Sequence, residues 1–472
     1  MKPVMRTLSA AAPHPGHPSP RPSAIRRSLL GSAVLGLLPG MAAAVDLNYE
    51  LGVSVLQTDN VALASFDETS ETVLSPSVRF DLEQRGSSVQ AKARGSVAYV
   101  DYLSNTFDSD VRGELAGELN WTVVPQRMDF VVSDYLNRQP VSVLTSFNPG
   151  NQQQVNVFIA GPSFYARLGS TFRGQLDLRY ANSHAETSKD FNGDHYNAAA
   201  RVLRDTSANQ TISLNLESTR SEYRNPVFDY TRNDAYIGYS LALAALELTA
   251  DVGYSHLQLN DGSSDRSQPM ARASATWTPT PSSTFTAVAR HQFSNAAQDM
   301  IARARDLDGS IMNELNSNDV LVGASSFRRQ EFYLGYYFTS ERLGLHVQPY
   351  YTRARYIGNP PVDPGQDPAA PAPDPGVELA DLQRQHNYGT LFSMDYKLRP
   401  QSTLSLVLAY DVGRFDAIDR KDRNYFAALS FANRLTRHWS WRADLQHRQR
   451  NSSTADASYD ENAFVLSIAY LR

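Results

Sequence analysis

The amino-acid sequence predicts an all-β fold, a transmembrane antiparallel up-and-down β-barrel of about 20 strands, with 18 as the fallback count. Three observations support this prediction: strict alternation of polar and apolar residues, strands long enough to cross a bilayer, and short turns that alternate with longer polar loops. Alternation with a period of two places one kind of residue on each face of a strand. The order of turns predicts short periplasmic turns and longer extracellular loops.

The alternation is clearest in residues 111–123. One face carries Val, Gly, Leu and Trp, and the other carries Arg, Glu, Ala, Asn and Thr. A helix would spread these apolar residues around all its sides, so the segment predicts a strand. The same pattern recurs in residues 89–99, 172–180, 212–216, 388–398, 404–412, 425–435 and 439–445.

Two architectures use alternating strands, the soluble β-sandwich and the membrane barrel. Sandwich strands usually have about five or six residues, whereas a tilted strand needs about 9–11 residues to cross a bilayer. The alternating segments here run to about a dozen residues. Aromatic residues lie near their ends, at Tyr99, Tyr102, Trp121, Trp277, Tyr396, Tyr410, Trp439 and Trp441. Length and aromatic placement favour the membrane barrel.

The connections predict the strand count. Nine short turns are expected at residues 84–87, 124–127, 168–170, 205–208, 244–245, 279–282, 340–342, 399–401 and 436–437. Nine short turns and ten outer loops require 20 strands with both termini on the periplasmic side. The longest outer links are residues 295–327 and 357–385. Residues 300–307 are compatible with a short helix that enters the pore mouth or with a surface loop, and the Pro-rich segment 357–385 is expected to be a mobile surface loop.

The first 44 residues predict a cleaved signal peptide, which leaves residues 45–472 as a single barrel domain. Arg26 and Arg27 precede the apolar run 28–38, and three Ala residues at 42–44 provide the cleavage pattern. The chain has no Cys and a formal charge of -5. Export without disulfides predicts the outer membrane of a Gram-negative bacterium. Outer-membrane lipid and the barrel-assembly machinery are then the expected partners, and nucleic acid is not.

No pattern in the chain predicts catalysis, a cofactor or a metal site, so the chain is predicted not to be an enzyme. The remaining chemistry is that of the lumen, where charged residues are expected on the inward faces of the strands. The pore-lining candidates are Lys92, Arg94, Arg112, Glu114, Arg173, Arg179, Arg272, Arg290 and Arg442. Such residues either pair across strands and keep the wall hydrated, or form a succession of Arg sites for carboxylates on an acidic sugar polymer.

A sequence motif lies at the end of the first predicted strand, in residues 52–63 (GVSVLQTDNVAL). Its Thr58, Asp59 and Asn60 resemble a signature of outer-membrane barrels known as β-barrel porin type 2, including EpsL-like, PEP-CTERM-associated proteins of exopolysaccharide loci. The likeness continues in residues 72–80, 97–103, 129–137 and 161–169 and so covers about the first third of the chain, whereas the rest matches in alternation only.

The resemblance implies an outer-membrane barrel associated with exopolysaccharide export, with the polysaccharide and periplasmic export proteins as partners. It implies no catalytic residues. Two other functions remain open for the same fold, a general diffusion porin and a barrel that acts mainly as a surface anchor or adhesin.

Overall fold

The computed structural model describes residues 45–262, 264–306, 320–357 and 384–472. The predicted signal peptide and most of the predicted Pro-rich loop, residues 358–383, lie outside these ranges. The helix α1 spans Ala296–Asp306. The strands are β1 (Val45–Thr58), β2 (Glu71–Arg85), β3 (Val89–Tyr102), β4 (Asp110–Val124), β5 (Met128–Pro140), β6 (Gln152–Arg167), β7 (Phe172–Ala185), β8 (Gly193–Ser207), β9 (Gln210–Tyr223), β10 (Tyr230–Ala242), β11 (Leu246–Leu259), β12 (Arg266–Thr280), β13 (Ser283–Ser294), β14 (Phe327–Thr339), β15 (Leu343–Tyr356), β16 (Arg384–Arg399), β17 (Ser402–Phe415), β18 (Arg420–Arg434), β19 (Trp439–Ser452) and β20 (Tyr459–Leu471).

These strands form one closed antiparallel sheet of 20 strands, in which each strand pairs with its neighbours in sequence and β1 pairs with β20. The predicted fold class and the count of 20 are therefore confirmed, and the fallback count of 18 is wrong. A short turn lies at each of the nine predicted positions, for example residues 125–127 between β4 and β5. In this turn Gln126 has a left-handed backbone with φ of 61°.

The barrel closes where its first and last strands meet. The β1–β20 register runs from Glu50 opposite Leu471 to Thr58 opposite Ala463. Beyond it, Tyr49 and Arg472 exchange two backbone hydrogen bonds of 3.0 Å. Closure pairs the backbone groups that an open sheet edge would leave without hydrogen-bond partners in lipid. Each unpaired group would cost several kcal/mol of stability.

The two faces of the sheet differ in chemistry. On β1, Leu51, Val53 and Val55 are exposed on one face, and the same arrangement holds around the barrel. Near the short turns this face carries Trp121, Trp277, Tyr396 and Trp439, and near the long loops it carries Tyr99, Tyr180, Tyr196, Tyr254, Tyr351 and Tyr388. An apolar outer surface between two aromatic girdles is the arrangement of a lipid-facing barrel. Among the described residues, no helix has the length and apolar character needed to cross a membrane.

The assignment of inner and outer faces predicts how much stability a charged residue costs on each face. Val252, at the middle of β11, is 66% exposed on the outer face, and Thr249 lies three residues earlier on the inner face. We expect Val252→Arg to lower the free energy of unfolding by about 2–4 kcal/mol, whereas Thr249→Arg, which faces the lumen, costs much less. Urea unfolding in lipid vesicles, followed by tryptophan fluorescence, measures both. Equal costs would contradict the assignment of faces.

Candidate channel lumen and extracellular mouth

All nine predicted lumen residues lie on the face opposite the exposed apolar side chains. On β3 and β4 they are held by short contacts. Arg94 Nε lies 2.9 Å from an Asp81 carboxylate oxygen, and Arg112 donates a hydrogen bond of 2.6 Å to the Tyr102 hydroxyl. Lys92 lies in register between acidic residues of β2 and β4.

The remaining candidates are paired in the same way. The ion pairs, with the distance between nitrogen and oxygen, are Glu114 with Arg138 (3.8 Å), Arg173 with Asp205 (2.7 Å), Arg179 with Asp177 (3.5 Å), Arg272 with Asp251 (3.1 Å), Arg290 with Glu331 (2.5 Å) and Arg442 with Asp444 (2.7 Å). Each positive charge therefore has a neighbouring acceptor. This pairing favours a hydrated, nearly neutral wall over a series of free guanidinium groups. Their role as pore lining stays a prediction.

Helix α1 lies inside the barrel at the long-loop end. Its Ala296, Ala297 and Met300 are buried in an apolar cluster, and Ile301 packs against it. The cluster joins two walls, and its strand members are Val155 and Val157 of β6, Ala185 of β7, Phe327 of β14 and Ala354 of β15. In a ring of 20 strands, β6 and β14 are far apart. The helix therefore bridges the lumen.

Buried polar contacts attach the helix to β14 and β10. Arg329 is 2% exposed, and its Nε lies 3.4 Å from a carboxylate oxygen of Asp299 on α1 and 3.1 Å from Glu331. On the neighbouring wall Arg232 donates a hydrogen bond of 2.9 Å to the side-chain oxygen of Gln298. A buried charge is tolerated when it is paired and hydrogen-bonded, so these contacts orient the helix as well as hold it.

A second loop, residues 141–151 between β5 and β6, also enters the lumen. Val143 is buried with Phe415 at the end of β17, and Leu144, Leu321 and Tyr356 pack against them. The Tyr356 hydroxyl accepts a hydrogen bond of 3.0 Å from the backbone of Leu321. This loop therefore meets the segment that follows α1 in the part of the chain described, and both contact the opposite wall.

The T-D-N motif anchors a third loop, residues 59–70. Thr58 donates a hydrogen bond of 2.7 Å to Glu461, and the Asp59 carboxylate accepts bonds of 2.7 and 2.8 Å from the backbone and side chain of Asn462. Asn60 is fully buried. Its side-chain amide donates to the carbonyl oxygens of Ala64 and Asp460, both at 2.8 Å, and its oxygen accepts from the Ala64 amide. The motif thus joins the first loop to β20.

The first and second loops contact each other directly. The Asn148 side chain donates a hydrogen bond of 2.8 Å to the carbonyl oxygen of Ala62, and the Ser146 hydroxyl donates one of 3.3 Å to that of Leu63. Three loops therefore meet within the long-loop mouth. We use the name mouth loops for residues 59–70, for residues 141–151 and for the described parts, 295–306 and 320–326, of the loop between β13 and β14. The sequence indicated an inward helix as one of two alternatives for residues 300–307, and the helix is present.

The sequence did not indicate that residues 141–151 turn inward. The available signal was the apolar residues Val141, Val143, Leu144 and Phe147 in a short link, because large apolar side chains are more often buried than exposed. Among the described residues, no group of three or more His, Asp or Glu side chains is placed to hold a metal ion.

Comparison with known proteins gives one family match. A family model described as "Putative beta-barrel porin 2" matches residues 386–471. This match lies in the last strands, whereas the residues that carried the sequence resemblance lie in the first third of the chain. The likeness to a β-barrel porin family is therefore supported, and its link to exopolysaccharide loci is not tested by this match. No curated protein matches the chain.

Several solved structures have similar barrels. The siderophore receptor PirA from Acinetobacter baumannii aligns with a TM-score of 0.47 at 7% identity, over 91% of this chain and 81% of that one. A mutant of the ferric enterobactin receptor PfeA from Pseudomonas aeruginosa gives 0.46 at 11%, over 91% and 81%. The FrpB iron transporter from Neisseria meningitidis gives 0.41 at 9%, over 90% and 83%. At these scores the likeness carries no information about cargo.

The buried position of Asn60 predicts a stability effect. Asn60→Ala leaves the Ala64 amide and two carbonyl oxygens without their partner, so we expect a loss of about 1–3 kcal/mol in the free energy of unfolding. Glu68→Ala is the control, because Glu68 is an exposed residue of the same loop. Denaturant unfolding of the refolded barrels measures both variants. A loss no larger than that of the control would show that the motif does not stabilise the seam.

The apolar contacts of Met300 predict an effect on conductance. Met300→Asp places a carboxylate in the cluster that holds α1, and we expect the helix to leave the lumen because a buried unpaired charge is costly. Planar bilayer recordings should then show a larger single-channel conductance than the wild-type protein. Met300→Leu preserves volume and apolar character and should behave as wild type. An unchanged conductance for a folded Met300→Asp barrel would show that α1 does not limit passage.

Proposed function

We propose that the chain is an outer-membrane channel whose passage is controlled by the mouth loops and whose cargo is an exopolysaccharide leaving the cell. The single observation that supports control at the mouth is the meeting of three loops across the lumen, through the Asn148–Ala62 hydrogen bond and the packing of Leu321 against the cluster of Val143 and Phe415. Outer-membrane barrels direct their long loops to the cell exterior. The constriction then lies at the exit, and cargo from the periplasm first enters the wide end.

The lumen wall is suited to a hydrated polymer. Barrels of about 16 strands or more are wide enough for an aqueous channel, and the wall residues carry paired charges such as Arg173 with Asp205 and Arg442 with Asp444. A guanidinium that already has a carboxylate partner offers a passing sugar only weak additional hydrogen bonds. Weak, repeated sites allow transit, whereas a tight site would stop it.

Further partners follow from export as the proposed function. Residues 1–44 direct the chain out of the cytoplasm, and the barrel-assembly machinery recognises the closing strand β20. Periplasmic export proteins deliver the polymer to the short-turn end, where both described termini lie. The T-D-N resemblance at Thr58–Asn60 is the support for an exopolysaccharide as cargo.

A diffusion porin is the second candidate, and two observations favour it. The family model that matches residues 386–471 describes a porin, and the mouth loops meet inside a barrel that would otherwise be wide. The two candidates differ in what crosses the membrane. A polymer conduit requires the mouth loops to move apart during transit, whereas a porin functions with them in place.

A deletion strain separates these candidates. We expect deletion of the gene to abolish surface polysaccharide while polymer accumulates in the periplasm and uptake of small solutes is unchanged. Complementation with the wild type or with Met300→Leu should restore secretion. Extracellular polymer assayed as uronic acid or total hexose, together with uptake of a labelled sugar, gives the result. Normal secretion with reduced uptake would replace the export proposal with the porin.

The lumen charges give a second test. Replacing Arg94, Arg112, Arg179 and Arg442 together with Gln should slow secretion of an acidic polymer several-fold, because the wall becomes net negative. Single replacements should have small effects. The matched control replaces the four acidic partners of these residues, Asp81, Asp110, Asp177 and Asp444, with Asn, which makes the wall more positive and should not slow such a polymer. Equal secretion in both variants would exclude an electrostatic role for the wall.

A further inference from the structure

Seven basic residues lie on the outer, lipid-facing side of the barrel at the long-loop ends of β14 to β18. We call them the outer basic patch, and its members are Arg328, Arg353, Arg355, Arg384, Arg414, Lys421 and Arg423. Their facing follows from alternation. Phe332, Tyr351, Tyr388, Leu408 and Tyr425 are 37% to 45% exposed on the outer face of β14 to β18, and each lies an even number of residues from the patch members on its own strand.

The register places these charges side by side. Arg328 lies directly opposite Arg355, which lies directly opposite Arg384. One row closer to the membrane centre, Arg353 is opposite His386, which is opposite Arg414. Arg414 is in turn opposite Lys421. Like charges directly opposite each other destabilise a sheet, so this arrangement calls for an anion that offsets the repulsion.

The part of the chain that the structure describes does not supply that anion. None of the seven side chains has an ion pair there, and the Nε atoms of Arg328 and Arg353 are buried without a hydrogen-bond partner. The nearby Asp416 carboxylate contacts His386 at 3.0 Å instead. The lumen differs in its ion pairs, because inner residues such as Arg94, Arg173 and Arg442 have carboxylate partners within 2.9 Å. An anion that offsets the repulsion among these side chains must therefore come from outside the described residues.

The depth of the patch identifies the kind of anion. Arg353 and Arg355 lie two and four residues beyond Tyr351 on β15 toward the long loops, which is roughly 7–13 Å along a strand. Tyrosines of a girdle lie at the level of the lipid headgroups. The patch is therefore at or just above the headgroups of the outer leaflet, within reach of their phosphates.

An apolar groove on the same outer face begins close to the patch. It has a volume of about 560 Å³ and runs across β17 to β20 and the end of β1, where its apolar lining includes Leu406, Ala427, Leu429, Leu445 and Phe464. Ala427 is four residues from Arg423 on β18, roughly 13 Å. The small side chain of Ala427 leaves room beside larger neighbours. A free phosphate ion has no apolar surface to bury in such a groove, whereas an acyl chain does.

We propose that the outer basic patch binds the phosphate groups of the anionic glycolipid of the outer leaflet, lipopolysaccharide, with one of its acyl chains in the adjacent groove. Guanidinium forks match phosphate oxygens in bidentate geometry, and three Arg residues on neighbouring strands present such forks in a row. This site is on the outside of the barrel and is independent of the channel function proposed above.

Binding of purified lipid A to the full-length, refolded barrel in detergent tests the phosphate contacts. The probes are bisphosphorylated lipid A, dephosphorylated lipid A and inorganic phosphate. We expect the triple variant Arg328→Gln, Arg355→Gln and Arg384→Gln to bind bisphosphorylated lipid A on the order of 100-fold more weakly. The matched control, Arg94→Gln, Arg173→Gln and Arg442→Gln, removes three lumen charges and should bind as the wild type does. Heat-modifiable mobility on gels verifies that both variants are folded.

Three results would overturn the proposal. Equal binding of bisphosphorylated and dephosphorylated lipid A would show that phosphate is not recognised. Competition by millimolar inorganic phosphate as effective as that of the lipid would identify a simple anion site. Equal weakening by the lumen control would show a non-specific effect of net charge.

A separate variant tests whether the groove holds an acyl chain. Ala427→Phe fills the groove and should weaken binding of bisphosphorylated lipid A about tenfold without changing the binding of phosphate. Unchanged lipid binding would remove the groove from the site.

The Pro-rich loop is a competing source of anions, because it carries Asp363, Asp367, Asp374, Glu378 and Asp381. A chain with these residues changed to amides should bind lipid A as the wild type does. Lipid binding that occurs only in this amide variant would assign the patch to the loop and overturn the proposal.

Discussion

The fold depends on one requirement, that every backbone N–H and C=O within the lipid has a partner in the sheet. The pairing of β1 with β20 meets this requirement because it removes the last two edges. Once the sheet is closed, the alternation of side chains separates two environments, an apolar exterior and a polar interior. The interior of a 20-stranded ring is too wide for its own side chains to fill, so either water or other parts of the chain must occupy it. The mouth loops do so at one end.

The local sequence pattern was sufficient to predict the fold but not the contacts across the lumen. Strands and turns depend on neighbours in sequence, which is why the nine turns and the 20 strands could be predicted. The count of 18 was an alternative because the link 103–108 is short for a surface loop and because residues 152–167 alternate weakly. The structure explains the weak alternation: Val155 and Val157 face inward but pack against α1 rather than water. An apolar residue at a lumen position was thus a sign of a loop inside the barrel. The inward facing of Arg94 and Arg442 also followed from alternation, but their partners did not.

The same residue type has two environments on the two faces of this sheet. Inside, Arg173, Arg290 and Arg442 have carboxylates within 2.7 Å or less, and the wall is close to neutral. Outside, Arg328, Arg355 and Arg384 adjoin one another. In the sequence all six are Arg residues of alternating strands. Only the pairing of residues across neighbouring strands shows which of them lie beside a carboxylate and which lie beside another Arg. Cross-strand neighbours, rather than composition, therefore determine what each face can bind.

The T-D-N contacts have a consequence for the order of folding. Thr58 and Glu461 are separated by 403 positions in the chain and still share a hydrogen bond. A contact of that separation forms late, because the entropy of closing so long a loop must be overcome before the contact contributes. Until β20 is in place, Thr58 and Asp59 lack their partners Glu461 and Asn462, and the Asn60 amide lacks one of its two carbonyl acceptors. The first strand pairs early with β2 on one side, but the motif on its other side is complete only in a chain that has reached its final strand.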